Sequence, residues 1–156
     1  MKKYYKTFQS PVGELTLVAN AQALTAVLYS PPLKKGDSGG FSPILSSAQQ
    51  QLTEYFSGKR QKFNLPLEFT GTDFQKRVWT ALLEIPYGQT KSYADIAKQV
   101  GSPKAVRAVG LANSKNPISI IAACHRVIGS NGKLTGYAGG LHNKKYLLEL
   151  EHAQVA

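Results

Sequence analysis

The spacing of apolar residues changes near Thr70-Gly71, and that change restricts the folds open to this chain more than any other feature. Before it, residues 3–9, 14–19 and 23–29 are short runs rich in Tyr, Phe, Leu and Val. Ser10-Pro11-Val12-Gly13 and Asn20-Ala21-Gln22-Ala23 separate them, so three strands joined by turns are predicted. A loop over 30–42 follows, carrying Pro31, Pro32, Gly36, Gly39 and Gly40. Residues 43–57 then place Ile44, Leu45, Ala48, Leu52, Tyr55 and Phe56 at helical spacing, and Gly58 ends the run. An extended piece over 63–69 leads to the boundary. Two parts are therefore expected, residues 1–70 and 71–156, in an α/β (α+β) chain of 156 residues.

Beyond the boundary the period is helical. Thr72 and Gln75 predict a capping box for a helix over 73–84, with Phe74, Val78, Ala81 and Leu82 on one face. Ile85-Pro86-Tyr87-Gly88 breaks it. Ser92 and Asp95 predict a second capping box, for a helix over 93–100 that Gly101 stops. Ser102 as N-cap and Pro103 as first helical residue predict a further helix running to about Ser114. Two short helices around a glycine-containing turn make a helix-turn-helix pattern. Ile118-Ser119-Ile120-Ile121-Ala122-Ala123 reads as a buried strand, Ser130-Asn131-Gly132-Lys133 as a hairpin turn, and residues 142–151 as a last helix.

Charge narrows the partners. The formal net charge is +10, from 19 Lys and Arg against 9 Asp and Glu. Between residues 87 and 145 nine of the basic residues face a single acid, Asp95. Such a block suits a polyanion held by phosphate neutralisation, although it also fits plain solubility. No apolar run approaches the roughly 20 residues that span a bilayer. The opening Met1-Lys2-Lys3-Tyr4-Tyr5-Lys6 does not read as a secretory leader, and a cytoplasmic protein without a membrane partner is expected.

Cysteine usage narrows the chemistry. With one cysteine, Cys124, no internal disulfide forms, and a cysteine-rich zinc site is disfavoured; no metal is expected. Cys124 ends the apolar run and is followed by His125 and Arg126. A reactive thiol needs a base, a cation or helix amides nearby. Neighbouring side chains of an extended segment point to opposite sides, so Cys124 and His125 would need a bend or a bridging water. On this local chemistry alone, a packed core thiol and a nucleophile fit equally well. The glycines of Gly136-Tyr137-Ala138-Gly139-Gly140 would let the backbone approach something flat, or simply make a loop.

Several separated motifs, in order, resemble the O6-alkylguanine-DNA alkyltransferase (methylated-DNA–protein-cysteine methyltransferase) family. They are Phe74-Gln75, Ile85-Pro86-Tyr87-Gly88, Ser92-Tyr93, Ala105-Val106-Arg107-Ala108-Val109-Gly110, Asn116-Pro117, Ala123-Cys124-His125-Arg126-Val127-Ile128-Gly129, Gly136-Tyr137-Ala138-Gly139-Gly140-Leu141, Lys144, and Leu147-Leu148-Glu149-Leu150-Glu151. The resemblance covers residues 71–151 closely and the first part more loosely.

That resemblance implies a small ribonuclease-H-like N-terminal subdomain with a three-stranded sheet, and a mainly helical C-terminal part of winged-helix or helix-turn-helix type. It implies irreversible, one-turnover transfer of the alkyl group from O6-alkylguanine, and from O4-alkylthymine, in double-stranded DNA to Cys124. No cofactor is implied, and a monomer is expected. His125 would take the thiol proton through a water, Glu151 would orient the histidine, Asn116 would order the turn, and Tyr93 would neutralise the leaving guanine. Val127, Tyr137, Ala138 and Lys144 would line the substrate pocket. Arg107 would fill the gap left by the extruded base, beside Lys104, Arg126 and Ser92 on the DNA, with its helix in the minor groove. The family usually has proline before the cysteine, where this chain has Ala123.

Three other classes fit parts of the pattern. A non-catalytic lesion-recognition protein would lack the cysteine. A helix-turn-helix regulator would need a recognition helix rich in base-reading side chains, whereas residues 103–114 are mostly Ala, Val, Gly and Leu. A cysteine hydrolase would need an oxyanion hole that nothing in the sequence singles out.

Overall fold

A computed structural model describes residues 3–29 and 40–152, in which the chain divides into two compact units, Met1–Phe69 and Thr70–Ala156. The loop expected over 30–42 lies, through residue 39, outside the described residues. Among the described residues no helix is long and apolar enough to cross a membrane.

In the first unit, β1 (Tyr4–Ser10), β2 (Gly13–Ala19) and β3 (Leu24–Leu28) form an antiparallel sheet in that order, with Thr7 opposite Thr16 and Leu17 opposite Val27. Alternation along β2 sends Leu15, Leu17 and Ala19 into the core with Leu24 and Val27 of β3. Helix α1 (Pro43–Phe56) covers them with Leu45, Ala48, Leu52 and Tyr55. Its start follows from Ser42, whose hydroxyl accepts from the Leu45 amide, and from proline at the first position. The extended piece joins the free edge of β3: Leu24 N donates to Pro66 O at 2.8 Å, and Glu68 N donates to Leu24 O at 3.0 Å.

In the second unit, both predicted capping boxes form. Helix α2 (Asp73–Leu83) has Gln75 N donating to Thr72 at 3.1 Å and the Gln75 side chain accepting from Thr72 N at 3.0 Å. β4 (Lys91–Ser92) leads directly into α3 (Tyr93–Gln99), where Ser92 and Asp95 exchange bonds of 3.0 Å each. Gly101 takes the left-handed conformation (φ 82°) that turns the chain toward α4 (Val106–Ser114). This last helix starts three residues later than its sequence suggests. Residues 102–105 close a separate turn, with Ala105 N on Ser102 O at 2.8 Å, and Ala105 caps α4 without a side-chain bond. Trp79 of α2 donates from Nε1 to Ala112 O at 2.9 Å, locking α2 to the far end of α4.

The apolar run over 118–123 corrects a second expectation. Ile118, Ile120, Ile121, Ala122 and Ala123 are all buried, as read, but they form no strand. Ile120 has φ 75°, Ala122 N bonds Ile118 O at 3.0 Å, and Cys124 N bonds Ala122 O at 2.8 Å. A β-branched residue at positive φ is strained, so its surroundings must impose it. Asn116 does part of this: its Nδ2 donates to Ala122 O at 2.8 Å while its Oδ1 accepts from Ile118 N at 3.0 Å. The chain then makes one 3-10 turn, Cys124–Arg126, and enters β5 (Val127–Ile128). β5 pairs in parallel with β4, Val127 against Lys91 and Ile128 against Ser92, which brings the cysteine segment beside the start of α3. Gly132 N closes on Gly129 O at 2.9 Å and Gly129 N on Lys133 O at 3.0 Å, so the turn starts one residue before the two-residue hairpin turn expected over residues 130–133, and no strand follows it. Helix α5 (Leu141–Leu150) packs Leu147 and Leu148 inward and ends on Glu151.

Candidate active site around Cys124

Cys124 is 2% exposed and opens the 3-10 turn, so the bend that an extended segment lacks is present. Burial pushes its thiol above the ordinary range; a hydrogen bond with Asn116 and the positive charge of Lys144 act in the opposite direction.

His125 is fully buried behind it, with Nε2 2.8 Å from Glu151 Oε2. Burial would raise the Glu151 carboxyl, but hydrogen bonds with His125 and Arg126 outweigh this and hold it well below the usual carboxylate range. An ionised carboxylate only accepts, so Nε2 carries the imidazole proton and Nδ1 bears the lone pair. Nδ1 is buried and has no hydrogen-bond partner among the described residues. Burial also holds the histidine below its ordinary pKa despite Glu151, so it is neutral near pH 7. The result is a positioned, unprotonated nitrogen in the residue adjoining the thiol.

Arg126 is not on a DNA-facing surface, contrary to expectation. It is 6% exposed, grips both Glu151 oxygens from Nε (2.8 Å) and Nη2 (2.9 Å), and donates from Nη1 to Ile85 O at 2.6 Å. The reason is electrostatic. Glu151 sits at the C-terminal end of α5, where backbone carbonyls already make the potential negative, and a buried carboxylate there requires a cation. Tyr87 and Gly88 complete the enclosure. The Tyr87 ring lies 5.7 Å from the Arg126 guanidinium carbon, and its hydroxyl donates to Leu150 O at 3.4 Å. Gly88 N donates to Glu151 Oε1 at 3.4 Å. In the sequence this segment is legible as a helix breaker and as one of the resembling motifs, but neither reading places it around Glu151.

Lys144 is also fully buried. Its ammonium donates to Val127 O at 2.6 Å and Thr135 O at 3.2 Å, and burial lowers it to about 8 while the neighbouring thiol raises it. Tyr93, first residue of α3, bonds Thr135 Oγ1 at 2.5 Å, a partner that sequence reasoning missed. The Tyr137 ring stands edge-on to His125 at 6.5 Å between centroids, and Ala138 is exposed. Of the glycines around Tyr137, Gly140 requires its residue type, since it caps α5 at φ 91°; a Cβ on Gly136 would meet nothing. Ala123 has φ −80°, at the edge of the range of about −65 ± 15° that proline adopts, so the alanine keeps a proline-compatible backbone.

On the helix-turn-helix, Arg107 and Lys104 are exposed, while Ser92 is half-buried and engaged in its cap. Leu111 on the same helix is 58% exposed.

Fold and site together define a helix-turn-helix protein with a buried thiol set next to a histidine–carboxylate–arginine cluster. The chain belongs to the 6-O-methylguanine DNA methyltransferase family: residues 3–69 match its ribonuclease-like domain and residues 73–153 its DNA-binding domain. It is 51% identical over 158 residues to the methylated-DNA–protein-cysteine methyltransferase of Mycobacterium tuberculosis, covering 97% of this chain and 93% of that one. It is 49% identical over 152 residues to the protein of that name from Methanosarcina acetivorans, covering 95% and 97%. The crystal structure of the Mycobacterium tuberculosis protein OGT in complex with DNA superposes with a TM-score of 0.89 at 50% identity, covering 96% of this chain and 92% of that chain.

Proposed function

We propose that this protein repairs alkylated double-stranded DNA by moving the alkyl group of O6-alkylguanine, and of O4-alkylthymine, onto Cys124 in one irreversible turnover. The observation that carries the proposal is the buried His125–Glu151 hydrogen bond, opposite an Nδ1 that has no partner among the described residues. Glu151 accepts the hydrogen bond from Nε2–H, which leaves Nδ1 as a neutral acceptor in the residue that follows a thiol kept protonated by burial. Cys124 Sγ forms a bond to the alkyl carbon as the bond from that carbon to O6 breaks. The thiol proton passes through a water to Nδ1, and the electron pair of the broken bond stays on the guanine. Tyr93 donates to the guanine ring and disperses that charge. Asn116 holds the turn that presents the thiol, and Tyr137, the Ala138 amide and the Val127 carbonyl flank the extruded base. Arg107 occupies the gap left in the duplex, with Lys104 and Ser92 on the phosphates.

A thioether has no leaving group that any residue here could displace, so the protein is consumed. Each chain carries one acceptor, so a monomer suffices, and a cytoplasmic location is proposed with it.

The test is intact-mass and peptide mapping after incubation with a duplex containing one O6-methylguanine. Methylation is expected on the peptide containing Cys124, with none in Cys124→Ser, since a serine alkoxide is scarcely populated near neutral pH. Transfer to another residue, or an active serine variant, would overturn the proposal.

A further inference from the structure

Thr135 lies in the loop after β5, where a side chain would ordinarily be mobile. Instead two hydrogen bonds pin it. Its hydroxyl is 2.5 Å from the Tyr93 hydroxyl, at the short end of the range for such bonds. Its carbonyl accepts from the buried Lys144 ammonium at 3.2 Å.

These contacts close a ring. Lys144 also holds Val127 O at 2.6 Å, Val127 pairs with Lys91 of β4, and β4 runs straight into Tyr93. The strand that follows Cys124 and the phenol at the start of α3 are thus one mechanical unit, closed through a single hydroxyl–hydroxyl bond.

We propose that Thr135 is a positioning residue whose hydroxyl donates to the Tyr93 oxygen and so leaves the phenol proton directed at the extruded base. A hydroxyl has one proton. If Tyr93 gave its proton to Thr135, none would remain for the leaving guanine. With Thr135 as donor the phenol keeps its proton, and a phenol whose oxygen accepts a hydrogen bond is itself the stronger donor. The effect belongs to the transition state, where charge builds on the guanine, rather than to binding.

This inference rests on Tyr93 acting on the leaving guanine, as proposed above. Its test is single-turnover methyl transfer from duplex DNA across a range of DNA concentrations, for Thr135→Val, Thr135→Ser, Tyr93→Phe and the double variant Tyr93→Phe/Thr135→Val. Thr135→Val is expected to lower the maximal rate constant about tenfold, the scale of one positioned hydrogen bond. It should leave the half-saturating DNA concentration and the melting temperature near those of the parent. Thr135→Ser should restore the rate, and Thr135→Val should cost nothing more once Tyr93 is phenylalanine. A valine variant as fast as the parent or faster would overturn the inference, because the bond would then be idle or restraining. An equal loss in the phenylalanine background would also overturn it, by showing that Thr135 does not act through Tyr93. A parent protein that transfers nothing would instead overturn alkyl transfer itself, and this inference with it.

Discussion

The helix pair α3–α4 and the segment over 116–128 lie next to each other in the same unit, yet opposite forces shape them. α3 is built by its own neighbours in sequence: Ser92 and Asp95 cap it, Gly101 ends it, and its charged residues Asp95 and Lys98 stay exposed. The cysteine segment is built by residues far away. Ile120 is held at positive φ, Arg126 reaches Ile85 and Glu151, and Lys144 fastens Val127 from another helix. One region presents cations to solvent, and the other buries them against carbonyls and a carboxylate. Disturbing the first should therefore change what the protein binds, while disturbing the second should change whether it folds.

The largest effect is expected at Glu151. Glu151→Ala leaves Arg126 buried without its carboxylate and His125 without its orienting partner. Removing one member of a buried pair costs about 3–5 kcal/mol, a large part of a small protein's stability. Urea unfolding should show this loss, and a loss below about 1 kcal/mol would mean that the cluster rearranges easily. The same cluster sets the pH response. His125 sits below its ordinary pKa of 6.5, so as pH falls past that value the unfolded chain gains a proton that the folded chain refuses, and stability declines. The Glu151 carboxyl is depressed from 4.5, so its contribution is intact above that pH and is lost further as pH falls below it. Glu151→Gln should remove the lower part of this acid limb.

A smaller and more selective effect is expected at Arg107. This side chain is exposed, so Arg107→Ala should leave stability within about 0.5 kcal/mol of the parent. Transfer from duplex DNA should slow by roughly 10- to 100-fold if the arginine offsets lost stacking, while reaction with free O6-benzylguanine stays unchanged. Equal losses on both substrates would dissolve the contrast between the regions.

What was legible in the sequence follows the same division. Strands β1 to β3, helices α1 to α3 and both capping boxes depend on period and on neighbours within a few positions, and they appear nearly where expected. The start of α4 was misplaced because Ser102-Pro103 carries a strong helix-start signal, yet the backbone makes a turn there instead. Residues 118–123 were read correctly as buried and wrongly as a strand. Apolarity reports burial, but the side chain of Asn116 helps set the path of the backbone, and no periodicity encodes it. The resemblance puts Arg126 on the DNA, and nothing near it in sequence signals burial; only the arrival of Glu151 from the end of α5 makes its burial tolerable. Thr135 carried no signal, since its importance arises from a partner 42 residues away.

Stoichiometry tests the central claim most directly. With methylated duplex in large molar excess, the intact mass of the protein should rise by one methyl in place of one proton, on Cys124, and then stop. Continued demethylation of the excess DNA by the same protein molecules, or a second methyl on the chain, would contradict a mechanism in which Cys124 is the sole acceptor and is consumed.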